Sequence, residues 1–134
     1  MAKVHIRDEV MYTAPTRIGL LADVTEALQA TGVNIEAIGA YDKGGNGEFL
    51  MVTSDNQLAF DTLSKFEGEV SLQQVVVAEV PNQPGQLAAI ARVLAANDIN
   101  VDQVFATSVD GAEKVMIVLT APCEVDILAL LEHV

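Results

Sequence analysis

The chain has very little cysteine and histidine, one of the first and two of the second. Its single cysteine, Cys123, rules out an intramolecular disulfide and a thiolate cluster. A buried or helix-start thiol is expected there rather than a nucleophile, since no His or Asp partner is near in sequence. His5 and His133 have no companion at ligand spacing, so no metal site is expected. Tryptophan is absent and aromatics make up 4% of the residues, so a core must be aliphatic. Seven basic residues face nineteen acidic ones, a formal charge of −12 at pH 7. Nothing offsets phosphate repulsion, so neither nucleic acid nor an anionic membrane surface is an expected partner. The first eight residues hold no long apolar run. No secretory leader or membrane span is therefore expected, and the cytoplasm is the expected location. No acid, base and nucleophile cluster together, so neither an enzyme activity, a catalytic residue nor a cofactor is expected.

What the chain does have is a repeat. A shift of 66 residues lays Gly19-Leu20-Leu21-Ala22-Asp23-Val24 on Gly85-Gln86-Leu87-Ala88-Ala89-Ile90. It also lays Leu28 on Leu94, Val33-Asn34-Ile35 on Ile99-Asn100-Val101, Pro15 on Pro81 and Val10 on Val76. Two copies are too few for a solenoid and read as two like domains. Half of the 134 residues are hydrophobic, which supports a packed core in each. Units of this size are marginal alone, so the two are expected to share an interface.

Within each copy the hydrophobic period alternates between two and 3.6. Residues 4–14 and 70–80 read as strands, the first with a charged middle at Arg7-Asp8-Glu9. A Pro-containing loop leads each time into a helix. Its predicted stripe is Leu21, Val24 and Leu28, or Leu87, Ile90, Ala91 and Leu94. Gly32 suits the end of the first helix, and Asn97-Asp98 that of the second. Strands are predicted over 33–41 and 99–107, returning over 48–53 and 115–120 after Gly-containing turns. Last helices are predicted to begin near Asp55 and Pro122, with Glu124 favouring the second dipole. The second copy has no room for a final strand, and Val4 and Ile6 align with Val70 and Leu72. The N-terminal strand is therefore expected to complete the second sheet. The expected domains are residues 9–74, and 75–134 with the strand 3–8.

This β-α-β-β-α-β pattern, with Asn82-Gln83-Pro84-Gly85-Gln86-Leu87 before its helix and Gly32-Val33-Asn34-Ile35 at its second strand, resembles the ACT domain. Ile99-Asn100-Val101-Asp102 is similar to the same segment in the regulatory part of aspartate kinases. The resemblance implies an α+β, ferredoxin-like fold with two tandem ACT-like domains, and an allosteric, regulatory role in binding a small ligand, often an amino acid. Carried over by position, one ligand seam would join Asn82, Gln83, Pro84, Gly85, Gln86 and Leu87 to Asn34 and Ile35. A second would join Thr16, Arg17, Gly19 and Leu20 to Asn100 and Val101. The physical grounds are general. A helix N-terminus offers unpaired N–H groups to a carboxylate, glycine permits close approach, and an amide both donates and accepts. The first loop lacks the Asn and the Pro, so the second loop is expected to fit the family better. Arg17 is the candidate anion clamp of the other.

Other features have plainer readings. Asp42-Lys43-Gly44-Gly45-Asn46-Gly47 lacks the ending of a phosphate loop and is expected to be a hairpin tip. Asp23 and Glu26 are expected to be solvated. The aliphatic last helix, with Val125, Ile127, Leu128, Leu130 and Leu131, makes a homodimer the expected state. The expected function is sensing of an amino acid or related metabolite, passed to a regulated protein partner. The alternative is an assembly module with a degenerate ligand site.

Overall fold

A computed structural model describes residues 3–121 and 124–134, with side chains from 127 onward in the last helix. Cys123 and Pro122, and the side chain of Glu124, lie outside what is described. The chain divides into two compact units. One is Asp8–Gln73; the other is Gln74–Val134 together with residues 3–7.

The elements are β1 (Lys3–Pro15), α1 (Leu20–Ala30), β2 (Ile35–Lys43), β3 (Asn46–Thr53), α2 (Asn56–Leu63), β4 (Glu69–Pro81), α3 (Gln86–Ala96), β5 (Gln103–Thr107), β6 (Lys114–Thr120) and α4 (Glu124–Leu131). The long strands β1 and β4 each give one part to either unit. In the unit 8–73 the strand order is β2-β3-β1-β4; in the other it is β5-β6-β4-β1. These are the same order, with β1 of the second taking the place of β4 of the first. The hairpin pairs are antiparallel, with Val10 opposite Met51 in the first unit and Val76 opposite Leu119 in the second.

Alternation on the strands supplies each core. In the unit 8–73, Val10, Tyr12 and Ala14 of β1 and Phe49 and Met51 of β3 meet Leu20, Val24 and Leu28 of α1 and Ala59 and Leu63 of α2. In the other unit, Val76, Ala78, Val80, Ile117 and Leu119 meet Ile90, Leu94, Ile127 and Leu131, and Val4 packs against them. Residues two apart on a strand share a face, and residues four apart share a helix stripe.

Both first helices end as their residues dictate. Gly32 has φ 78 and Asp98 has φ 55, the left-handed conformation that closes a helix C-terminus. Asp55 caps α2, its carboxylate accepting from the Leu58 amide at 3.0 Å. The predicted helix stripes need one correction. Leu21 is 54% exposed and Leu87 45% exposed, whereas Leu20 is buried. Each helix starts directly after a left-handed glycine, Gly19 or Gly85, so the first helical residue faces the sheet and the stripe runs 20, 24, 28. A second correction concerns β5. It begins at Gln103, not at 99, because residues 97–102 are spent on the helix end and a turn where the Asn100 amide donates to Asp102 at 3.2 Å.

Candidate functional site

The loops that start α1 and α3 have the same backbone and different surroundings. Gly19 has φ 89 and Gly85 has φ 93, a conformation that only glycine adopts cheaply. Each loop is tied to the hairpin of its own unit. The Thr16 amide donates to Gly45 O at 2.8 Å, and its hydroxyl donates to the Asp42 carboxylate. The Asn82 amide nitrogen donates to Glu113 O at 2.9 Å, and its side chain donates to Ala112 O at 3.0 Å. Ser108 donates to the Asn82 side-chain oxygen at 3.3 Å. The side chain of Asn82 thus anchors the turn between β5 and β6, a structural duty that its sequence position does not reveal.

The first loop is closed by its own charges. Arg17 forms an ion pair with Asp23 at 2.6 Å, both about half exposed. The helix end it covers therefore already holds a carboxylate in its first turn. Asp23 is thus paired while half exposed, and the Arg17 guanidinium, the expected anion clamp, is engaged by that carboxylate. A carbon added at Gly19 would lie 3.8 Å from the same guanidinium. Beneath the pair is a small cavity of about 70 Å³ that also touches Tyr12, Phe66 and Glu67. The Tyr12 hydroxyl donates to Glu67 O, and its pKa is raised, chiefly by burial.

The second loop is open. Gln83 stands where Arg17 does and Ala89 where Asp23 does. No acidic residue lies in the first turn of α3. A carbon added at Gly85 would meet nothing within 4 Å. Asn82, Gln83, Pro84, Gly85 and Leu87 are exposed and Gln86 is half-buried. The first-turn amides of such a helix have no partner inside it, so this end offers donors and a positive dipole with no carboxylate of its own.

The other predicted segments are placed as follows. Asn34 and Ile35 lie at the start of β2, where the Asn34 amide nitrogen donates to the Ser54 hydroxyl at 2.8 Å. Both border an open hollow of about 440 Å³ with Thr25, Gln29, Gly32 and Val33. Asn100 and Val101 precede β5, with Asn100 exposed and Val101 packed against the core. The hairpin tip at Gly44-Gly45 has φ 60 and 88, which suits a tight two-residue turn. The His5 ring lies 4.0 Å from the Glu79 carboxylate. Among the described residues no three His, Cys, Asp or Glu side chains gather as a metal site. No helix of the described residues is long and apolar enough to cross a membrane.

One polar group eluded sequence reasoning. Glu9 is fully buried, with one oxygen accepting from the Gln73 amide at 2.6 Å and the other, Oε2, without a partner. Burial raises its pKa above the usual carboxylate value, against the lowering effect of the Gln73 bond.

Residues 74–134 match the family model of the ACT domain. No curated protein matches the chain in sequence. Among solved structures, a protein from Bacteroides thetaiotaomicron is similar with a TM-score of 0.86 and 20% identity, over 97% of this chain and 89% of that one. The ligand-free regulatory subunit of aspartate kinase from Thermus thermophilus is similar with a TM-score of 0.70 and 17% identity, over 97% and 95%. The regulatory subunit of aspartate kinase from Thermus flavus gives 0.64 and 18%, over 96% and 92%. At such identities the likeness is one of fold. The ACT family match is to residues 74–134, and the fold likeness extends over nearly the whole chain.

Proposed function

We propose that the chain is a tandem ACT pair that binds an amino acid or a related carboxylate and changes the behaviour of a protein partner. The observation that carries the reading is the open start of α3. In the segment matching the ACT family, the helix end has no acidic residue in its first turn and clear space before Gly85. A carboxylate placed there satisfies amides that otherwise face water. The residues assigned to the ligand are Gln83, Gly85, Gln86 and Leu87. Asn82 supports them by holding the turn over residues 108–112. The family's role and the likeness to aspartate kinase regulatory subunits support this reading. Regulation further requires a ligand that binds two states of the protein with different affinity.

A second reading, an assembly module, is favoured by the first loop. Arg17 is taken by Asp23, and Ile18 beside it is fully exposed, with Leu21 half exposed. An apolar side chain held out on a loop suits contact with a protein rather than with a zwitterion.

A thermal-shift screen of the full chain against the twenty amino acids separates the two. A ligand at a hundred times its Kd adds about 2.7 kcal/mol, a shift of several degrees in a protein of this size. The sensor reading expects a shift with one amino acid that is lost in Gln83→Ala. No shift with any of them gives precedence to assembly.

A further inference from the structure

The unit 74–134 contains a cavity of about 210 Å³ between α3 and the start of β5. Its α3 wall is Leu87, Ile90, Ala91 and Leu94. Across from them stand Val101, Val104 and Leu119, and no polar atom lines the space. The volume equals about seven waters at roughly 30 Å³ each, yet a water inside would find no hydrogen-bond partner. Leu87 and Val104 are 45% and 48% exposed, so two large apolar side chains of the wall remain unfilled on one side.

The lining differs between the two copies at particular positions. Shifted by 66, six of the positions become Leu21, Val24, Thr25, Leu28, Ile35 and Ile38. Leu119 lies opposite Val76 and Val104, and the residue so placed in the first copy, opposite Val10 and Ile38, is Met51. A hydroxyl thus replaces Ala91, Thr25 donating to Leu21 O at 2.8 Å, and the longer, fully buried Met51 replaces Leu119. The second copy carries in their place a methyl group and a shorter aliphatic side chain.

We propose that this cavity is a binding site for a small branched aliphatic group of about four or five carbons. The chemistry of the wall selects the class: an apolar group fills it without stranding a donor or acceptor, and a hydroxyl or charge entering it would lose its water for nothing. Leu87 belongs both to the cavity wall and to the first turn of α3. If the ligand is an amino acid, a step that rests on the proposed function, its side chain is aliphatic and enters here.

The test uses methyl NMR of the full chain, titrated with ethanol, 1-propanol, 1-butanol and 3-methyl-1-butanol, and separately with L-leucine and L-serine. The expected result is a saturable shift of the Leu87, Ile90 and Val104 methyls, tightening about fourfold per added methylene. Ala91→Leu fills the space from an exposed position on α3 and is expected to weaken 3-methyl-1-butanol at least tenfold. Val104→Phe fills it from β5 and serves if the first variant does not fold. Absence of saturable shifts in these methyls, or unchanged affinity in both folded variants, overturns the site. Alcohols that bind while no amino acid does keep the cavity and remove the amino-acid reading. Leucine that binds without moving these methyls keeps the amino-acid reading and removes the cavity.

Discussion

The two helix starts share one backbone and differ in what stands over it. At α1, Arg17 and Asp23 neutralise each other on the helix end and Ile18 projects into solvent. At α3 the same places hold Gln83, Ala89 and Pro84, and the helix end is free of acidic side chains. Duplication preserved the glycine that shapes the loop and let the charges around it change. The lesson is that a loop's geometry and its chemistry are separable: Gly19 and Gly85 maintain the one, and their neighbours decide the other.

The largest expected difference between the copies lies in their cores. Leu28 and Leu94 are equivalent and fully buried, but only Leu94 borders the apolar cavity. Leu→Ala at such sites costs about 2–5 kcal/mol, depending on how many contacts the side chain gives up. Leu28→Ala is expected near the upper end and Leu94→Ala at least about 1 kcal/mol below it, since part of its surroundings is already empty. Urea unfolding with unchanged slope measures both. Equal costs would mean that the cavity closes in solution.

Position 9 sharpens the comparison next, for its counterpart in the other copy is Val75. Ionising Glu9 strands a buried charge, so its folded pKa is above the unfolded one. The folded state then holds its proton more tightly. Stability is expected to be highest below the unfolded value of 4.5 and to fall as pH rises from there toward the folded value. Glu9→Gln retains an acceptor for Gln73 and removes the charge. It is expected to flatten the pH dependence of the melting temperature over that window and to gain roughly 1–2 kcal/mol above it. A variant with the wild-type slope would show that another group titrates.

The smallest effect separates the two loop anchors. Asn82 bridges several groups of the turn over residues 108–112, whereas the Thr16 hydroxyl serves the single acceptor Asp42. Asn82→Ala is expected to cost about 1 kcal/mol and Thr16→Val about half of that, both in exposed surroundings. Amide exchange of the two hairpins reads each locally. Exchange at residues 108–113 that ignores Asn82→Ala would return this side chain to the ligand.

Much of this was legible before any coordinates. The left-handed Gly32, the helix start near Asp55 and the hairpin at Gly44-Gly45 all follow from local rules. The start of β5 and the helix stripes were misjudged, because periods of three and four both fit Leu20-Leu21 and only the helix start fixes the phase. The candidate site was half legible. The loop residues were named from their pattern, but that Asn82 holds a turn and Arg17 an aspartate depends on neighbours 27 to 30 and six residues away in the chain.

By itself the sequence determined the duplication, the order of the elements, the aliphatic character of both cores and the unlike chemistry of the two loops. These rest on composition, spacing and backbone preference, which act between residues close in the chain. Tertiary structure alone decided that Glu9 is buried with an unpartnered oxygen, and that seven apolar side chains leave a space between them. Burial and cavities are properties of how surfaces meet, and no local rule states which atoms will be left without a neighbour.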